Sequence, residues 1–262
     1  FTQNVAYSLL ARLYLNSEAF VGQPRWQDCI DMCQNVTAYT LNPDYFGNFI
    51  TQNQTSQEII FAIPYDSNAG TLGNYMSSMS CHYLHKLTVS PTGDYPWSAN
   101  GMCGEPGLYS SFEDIDARKE SMLIGDQINL ATGSVIIMDS GLPLTYTEDV
   151  IDFTNAAQNE GVRLHKYEMK AGEKWERDHD LVIIRYSEIL MMQAECYVRL
   201  GSAGLATPFV EQVRTRAGVG MPATVDLAFI DQELRREFVF EGRRRTDNIR
   251  FGTFFQPGWE LG

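Results

Sequence analysis

Residues 184–218 read IRYSEILMMQAECYVRLGSAGLATPFVEQVRTRAG, and RREFVFEGRRR follows at 235–245. Ile183, Tyr186, Leu190, Ala194, Tyr197 and Val198 recur at helical spacing and end at Gly201, where a glycine C-cap is expected. Thr207 then reads as an N-cap ahead of Pro208 at the first helical position, with Phe209, Val213 and Ala217 on the next apolar face before Gly218. The stretch is therefore a helical hairpin. A third helix is expected from about Asp226, with Phe229, Ile230, Leu234 and Phe238 inward and Glu233 and Glu237 spaced to pair with Arg236. It reads as an amphipathic helix ending in the basic cluster Arg243, Arg244 and Arg245.

The other end of the chain is of the same kind. Val5, Leu9 and Leu13, flanked by Ala6 and Leu10, predict a helix over about 2–15, and Trp26, Cys29, Ile30, Cys33 and Val36 predict a second. Gly22 and Pro24 between them supply a stop and a restart, so a back-to-back hairpin of tetratricopeptide type is expected. From about Pro64 to Asp180 the composition changes to Gly, Ser, Asn and aromatic residues. The strand-like runs there are EIIFAI at 58–63, at the entrance, and SVIIM at 134–138, after Thr132 and Gly133. The expected fold is mainly α: helical hairpins carrying a long, irregular, loop-rich insertion with a few short strands. It forms one domain in three parts, 1–63, 64–180 and 181–262. Long irregular segments inserted in a scaffold commonly carry function, which puts the ligand site in 64–180.

Bulk properties narrow the function. With 262 residues the chain can bury a core unaided, and no run of about 18 apolar residues exists. Lys plus Arg number 20 against 33 Asp plus Glu, a net charge of −13 that argues against nucleic acid and anionic membrane surfaces as partners. The five cysteines are scattered, without the C-x-x-C spacing of zinc or redox motifs. Phe1 is not an initiator methionine and the first residues read as helix interior, so the chain reads as a fragment or processed form, with any export signal or lipid anchor outside it.

Catalytic constellations are weak. Cys81, His82 and His85 sit close in sequence, with Cys103 beyond them, but no Glu stands between the histidines and no orienting third group is identifiable. Glu113, Asp114 and Asp116 in FEDIDARKE read as a solvated, ion-pairing segment, leaving room only for an irregular calcium site of carboxylate and backbone oxygens. Arg243 to Arg245 with Arg250 read as structural, satisfying helix-end carbonyls and bridging carboxylates such as Glu237 and Glu241.

What remains is aromatic and amide content: Tyr75, Tyr83, Tyr95, Trp97 and Trp175, with Asn68, Asn74 and Asn100. A pyranose has an apolar face of C–H groups and a rim of hydroxyls, matched by an aromatic platform beside amides. Trp97 lies among Pro91, Gly93, Pro96 and Gly101, a loop composition, where it either packs the loop on the scaffold or presents such a platform. Trp175, in GEKWERD, reads as a packing or exposed residue.

These pieces, in order, resemble the SusD/RagB family of outer-membrane nutrient-binding lipoproteins. AYSLLARLYL with WQDCIDMCQNV resembles a repeat hairpin, and NQTSQEIIFAIPYD the strand after it. GMCGEPGLYSSFEDIDARKES resembles the family's Phe-to-Asp-x-Arg segment, here Phe112, Asp116 and Arg118. LHKYEMKAG, IRYSEILMMQAEC, VRTRAG and LRREFVFEGRRRTDNIRFG complete the series. The resemblance implies a SusD-like α-α superhelix that is not an enzyme. It implies a cell-surface, outer-membrane location through a lipid anchor outside this chain, and docking on a SusC-like TonB-dependent transporter. It implies aromatic residues that hold an oligosaccharide, matched in order and approximate spacing by Trp97 and Tyr75, and no cofactor. Relative to the family, the chain reads as lacking the N-terminal repeats and the final segment. The expected ligand contacts are Trp97, Tyr75, Tyr95 and Tyr83 with Asn74 and Asn100. Two other readings stay open: a helical interaction scaffold that binds no sugar, and a glycoside hydrolase using Glu113 or Asp116.

Overall fold

The computed structural model describes residues 1–66, 69, 73–85, 98–169 and 178–255. Helix α1 (Gln3–Leu15) starts where Thr2, in extended backbone, accepts a hydrogen bond from the Val5 N–H. A short α2 (Ser17–Val21) ends at Gly22 in the left-handed conformation, and α3 (Trp26–Gln34) runs back along α1. Strand β1 (Ile59–Ile63) then leads out of the scaffold. The insertion holds α4 (Met76–Ser80), β2 (Met122–Leu123), β3 (Gly125–Asp126), β4 (Thr145–Tyr146) and β5 (Arg163–Leu164). The chain returns through β6 (Leu181–Arg185), antiparallel to β1 with Ile63 opposite Leu181, so both ends of the insertion meet at one ladder. Then come α5 (Tyr186–Arg199), α6 (Ala203–Ala217), α7 (Leu227–Glu237) and α8 (Arg244–Phe251).

Helix α5 organises the scaffold because it is buried without a break from Ser187 to Cys196 and carries an apolar stripe on each of two sides. Ile189, Met192 and Cys196 pack with Val5, Ala11, Cys29, Ile30 and Cys33 of α1 and α3. Leu190, Met191 and Ala194 pack with Val210, Val213, Ile230 and Leu234 of α6 and α7. Gly201 and Gly218 have φ of 74° and 79°, and the N–H of the residue after each bonds five residues back, to Tyr197 and Arg214. The fold is mainly α, as expected. Among the described residues, no helix is long and apolar enough to cross a membrane.

Local readings fail at four places. Ile183 and Ile184 belong to β6 and not to the helical stripe, because the β-branched run LVIIR finds its partner strand at the far side of the insertion, with Ile184 opposite Phe61 and Val182 opposite Ala62. Pro208 lies inside α6, which begins at Ala203; the carbonyl that loses its bond belongs to exposed Gly204, where water can serve it. The basic cluster does not end α7: the chain turns over Phe238–Gly242, with Phe240 at φ 60°, and Arg244 opens α8. The run at 134–138 pairs only through isolated bridges, Ile128↔Val135 and Ile137↔Pro143.

Charged side chains join the scaffold to the base of the insertion. Buried Arg185 donates to Glu58 at 2.9 Å, to Glu237 at 2.5 Å and to Glu241 at 2.9 Å. Arg216 bridges Glu58 and Glu237, and Arg118 donates to Asp116, Glu233 and Glu237. Two expectations are corrected here. Asp116 and Arg118 are buried, not solvated, because the further partners of Arg118 come from α7, 115 residues on at Glu233. Glu237 and Glu241 are served by Arg185, Arg118, Arg216 and Lys166, whereas Arg243 pairs with Glu188, Arg244 with Asp231, and Arg250 with Glu195 and Asp247. The cluster is structural, but with other carboxylates than its sequence neighbours. Burial alone pushes these carboxyls up; for Glu237, the guanidinium groups of Arg216, Arg185 and Arg118 outweigh it and hold the group well below the usual carboxylate range.

Candidate functional site

The described part of the expected ligand region is built on α4 and the turn after it. Tyr75, half-buried, is the residue before α4, and Tyr83 follows three residues after its end, in a single 3₁₀ turn with Leu84 and His85. Five helical residues separate them, roughly 7.5 Å of axis at 1.5 Å per residue. The segment 99–101 is laced to α4 by main-chain bonds: Ala99 N to Ser78 O at 2.8 Å, Gly101 N to Met79 O at 2.9 Å and Asn100 N to Cys81 O at 3.0 Å. Ser80 fixes it further, donating to Met102 O and accepting from Leu164 N of β5.

Tyr83 is the most open of the described candidates, 36 % exposed, with its ring against His82 at 4.0 Å between centroids and its hydroxyl donating to Asp139 at 3.3 Å. His82 itself is enclosed. The Leu84 N–H bonds to its Nδ1, which leaves the proton on Nε2 to donate to Gln158 Oε1 at 3.1 Å. Burial lowers the pKa of His82, and of His85 to about 3, so both rings are neutral supports. Buried Cys81 lies 3.9 Å from Met169 Sδ. Among the described residues, no group of three His, Cys, Asp or Glu is arranged to hold a metal, and both oxygens of Asp116 accept from Arg118.

The two amides are turned inward. Asn74 is only 5 % exposed and its Oδ1 accepts from Met76 N, a turn that starts α4. Asn100, at φ 49°, accepts from Arg163 Nε and Nη2 at 3.2 and 3.1 Å and donates to Gln158 O at 2.8 Å. Each amide oxygen holds a loop, that of Asn74 the start of α4 and that of Asn100 the corner at Arg163. Arg163, missed by sequence reasoning, is the hub of this corner. It also donates to the carbonyls of Gln158, Glu160 and Gly161 and lies 4.8 Å from the Tyr146 ring centroid. Its signal in the sequence is slight, a lone arginine after 43 residues free of Lys and Arg. Tyr95, Trp97, Asn68 and Trp175 lie outside the described residues.

A cleft of about 490 Å³ opens elsewhere, lined by Leu108, Phe238, Phe240 and Phe254 with Arg235 and Arg243. None of the expected ligand residues borders it, and Arg235 and Arg243 are already paired with Glu105 and Glu188.

Fold and site together define a helical-repeat scaffold that carries an aromatic-bearing insertion, without an assembled catalytic group among the described residues. The model of the SusD family matches residues 57–260, and the chain belongs to that family. The starch-binding protein SusD of Bacteroides thetaiotaomicron is 27 % identical over 288 residues, 94 % of this chain and 51 % of that protein. Among solved structures, surface glycan-binding protein A of Bacteroides thetaiotaomicron in complex with laminarihexaose superposes with a TM-score of 0.69 at 23 % identity, covering 97 % of this chain and 55 % of that one. A laminarin-binding SusD-like protein gives a TM-score of 0.70 at 21 % identity, with 97 % and 55 % covered. The chain spans about half the length of the relatives it matches.

Proposed function

We propose that the protein containing this chain is a cell-surface glycan-binding subunit, lipid-anchored at the outer membrane, which captures an oligosaccharide and passes it to a SusC-like TonB-dependent transporter. The observation that carries the reading is membership of the SusD family across residues 57–260. It is supported by the name of a relative that covers most of the chain, starch-binding protein SusD, and by a similar fold solved in complex with laminarihexaose. In this reading Trp97 and Tyr75 stack on sugar rings, with Tyr83 and Tyr95 extending the surface, while Asn74 and Asn100 hold the loops that carry them. Each aromatic contact contributes about 1 kcal/mol beyond burial, the modest affinity that suits capture followed by release.

The protein binds and does not hydrolyse. Of the carboxylates that a hydrolase would use, Asp116 is buried against Arg118, and Glu113, half-exposed, pairs with Arg214 at 2.7 Å. Titration of the full-length protein with a panel of oligosaccharides tests the reading. Binding without turnover is expected, with Trp97→Ala and Tyr83→Ala each weakening it about fivefold while the melting temperature holds. Transporter binding with no response to any glycan would replace this reading with a sugar-free interaction scaffold, and turnover lost in Glu113→Gln would revive the hydrolase.

A further inference from the structure

Residues 124–146 form a small arm that packs on the turn carrying Tyr83. Three strand segments close on one another in a ring of main-chain bonds, each 2.8 Å long: Gln127 N to Leu144 O, Leu144 N to Ile136 O, and Ile136 N to Gln127 O. Ile136, Leu144 and Tyr146 point inward, where they meet Leu84. The alternate residues point out. Ile128 and Val135 face each other across a bridge, and Leu130 and Ile137 lie two residues further along the same faces. With Leu142, next to the Ile137↔Pro143 bridge, these five aliphatic side chains are 39 to 63 % exposed. Exposed aliphatic side chains gathered on one small element are the kind of surface that commonly serves as an interaction site.

Its charge is as distinctive as its apolarity. Between Lys119 and Arg163 the sequence has no Lys, Arg or His, and two of the acids there, Asp126 and Asp139, lie in the arm itself. Both have neutral hydrogen-bond donors: Asp126 accepts from Thr145 and Asp139 from Tyr83. No described Lys or Arg forms an ion pair with either.

We propose that this arm is a docking surface for a protein that presents an aliphatic patch rimmed by lysines or arginines. Charge complementarity selects that occupant. An anionic lipid surface is repelled by the arm's acids, and so is the same arm on a second copy. The ring of bonds already uses the central N–H and C=O groups, so recognition is through side chains and not by addition of a strand. The inference rests on the proposed reading in taking the cognate TonB-dependent transporter as the probe.

The experiment measures binding of that purified transporter, and separately of an oligosaccharide, by the full-length protein and two variants. Ile137→Glu/Leu142→Glu removes the apolar patch, and Asp126→Lys reverses an exposed acid of the arm while leaving the aliphatic side chains in place. Both variants are expected to keep the wild-type melting temperature and glycan affinity and to bind the transporter at least about tenfold more weakly, as removal of interface anchors does. Binding by the wild type is expected to weaken with added salt. A photo-crosslinking residue at position 137 is expected to capture the transporter. Unchanged transporter binding in both variants overturns the proposal, as do a wild type that binds glycan but no transporter, arm-dependent self-association, and arm-dependent binding to phosphatidylglycerol vesicles. If glycan binding is absent but arm-dependent transporter binding persists, the docking surface stands and the glycan reading falls.

Discussion

Glu237 of the scaffold and Asp139 of the insertion are both acids beside a donor, yet they sit in opposite settings. Glu237 is fully enclosed and meets Arg185, Arg216 and Arg118; Asp139 is exposed and accepts one bond from a tyrosine. In the scaffold, charge is removed from water and compensated side chain by side chain. In the arm of the insertion at 124–146, charge and aliphatic surface are both left facing solvent. Groups committed to internal partners hold a shape, whereas uncommitted ones are available to a ligand, so ion pairing separates what supports the site from what forms it.

The strongest way to break that comparison is Arg185→Met. It leaves Glu58, Glu237 and Glu241 short of a partner in a buried position, and loss of one member of a buried pair typically costs about 3–5 kcal/mol. Urea denaturation is expected to show a loss of that size, with Arg185→Lys falling in between. A loss below about 1 kcal/mol, the range of exposed pairs, would mean that the network is not what joins scaffold to insertion.

Acid separates the two regions by sign and by window. The folded pKa of His85, about 3, lies below its ordinary 6.5, so the unfolded chain takes up the proton first and stability falls as pH drops from 6.5 toward 3. In the scaffold, Glu188 is buried, which raises its pKa, but Arg243 and Arg12 hold it at about 2; its contribution is complete above 4.5 and lost as pH falls toward 2. Near-UV dichroism of the tyrosines around His85 should therefore change at higher pH than the far-UV helical signal. His85→Gln should shrink the early phase, to which His82, also lowered by burial, contributes the rest, and coincident transitions in both proteins would show that the regions do not open separately.

A smaller effect is expected at Asn100. Alanine there removes two bonds to buried Arg163 and leaves a non-glycine residue at φ 49°, a cost of about 1–3 kcal/mol for an unsatisfied buried group. Asn100→Asp keeps the acceptor and should restore most of it. Hydrogen exchange at 98–102 and 158–161 reads the effect, and exchange unchanged in the alanine variant would remove Asn100 from the support of the site.

What is legible in the sequence depends on near neighbours. The helices around Leu9, Cys29, Leu190, Val213 and Leu234 follow from apolar spacing within a few turns, and Gly201 and Gly218 from local capping. The family is legible too, because its motifs occur in order. Ile183 and Arg118 escape such a reading because distant partners decide their state: a strand for one, Glu233 and Glu237 for the other. At 135–137 the outward Val135 and Ile137 are as apolar as the inward Ile136, so the sequence shows no alternation of apolar and polar residues to read. Asn74 and Asn100 are legible as loop amides, but the bonds that Asn100 makes to Arg163 are not, because composition identifies an amide and not the direction it faces.

The finest version of the comparison lies inside one segment, FEDIDARKES. Asp114 and Asp116 are two residues apart and each meets a cation, Lys119 at 2.8 Å and Arg118 at 2.8 Å. Asp114 is 97 % exposed, so water and salt screen its pair and holding the lysine still costs entropy; Asp116 is enclosed and accepts two parallel bonds from a guanidinium that also serves α7. Asp114→Asn is therefore expected to leave the urea midpoint unchanged at any salt concentration, while Asp116→Asn lowers it clearly. Equal effects from the two would show that the Phe112-to-Arg118 segment is held as a whole by its turn, and that burial of the Arg118 pair adds nothing to the junction between scaffold and insertion.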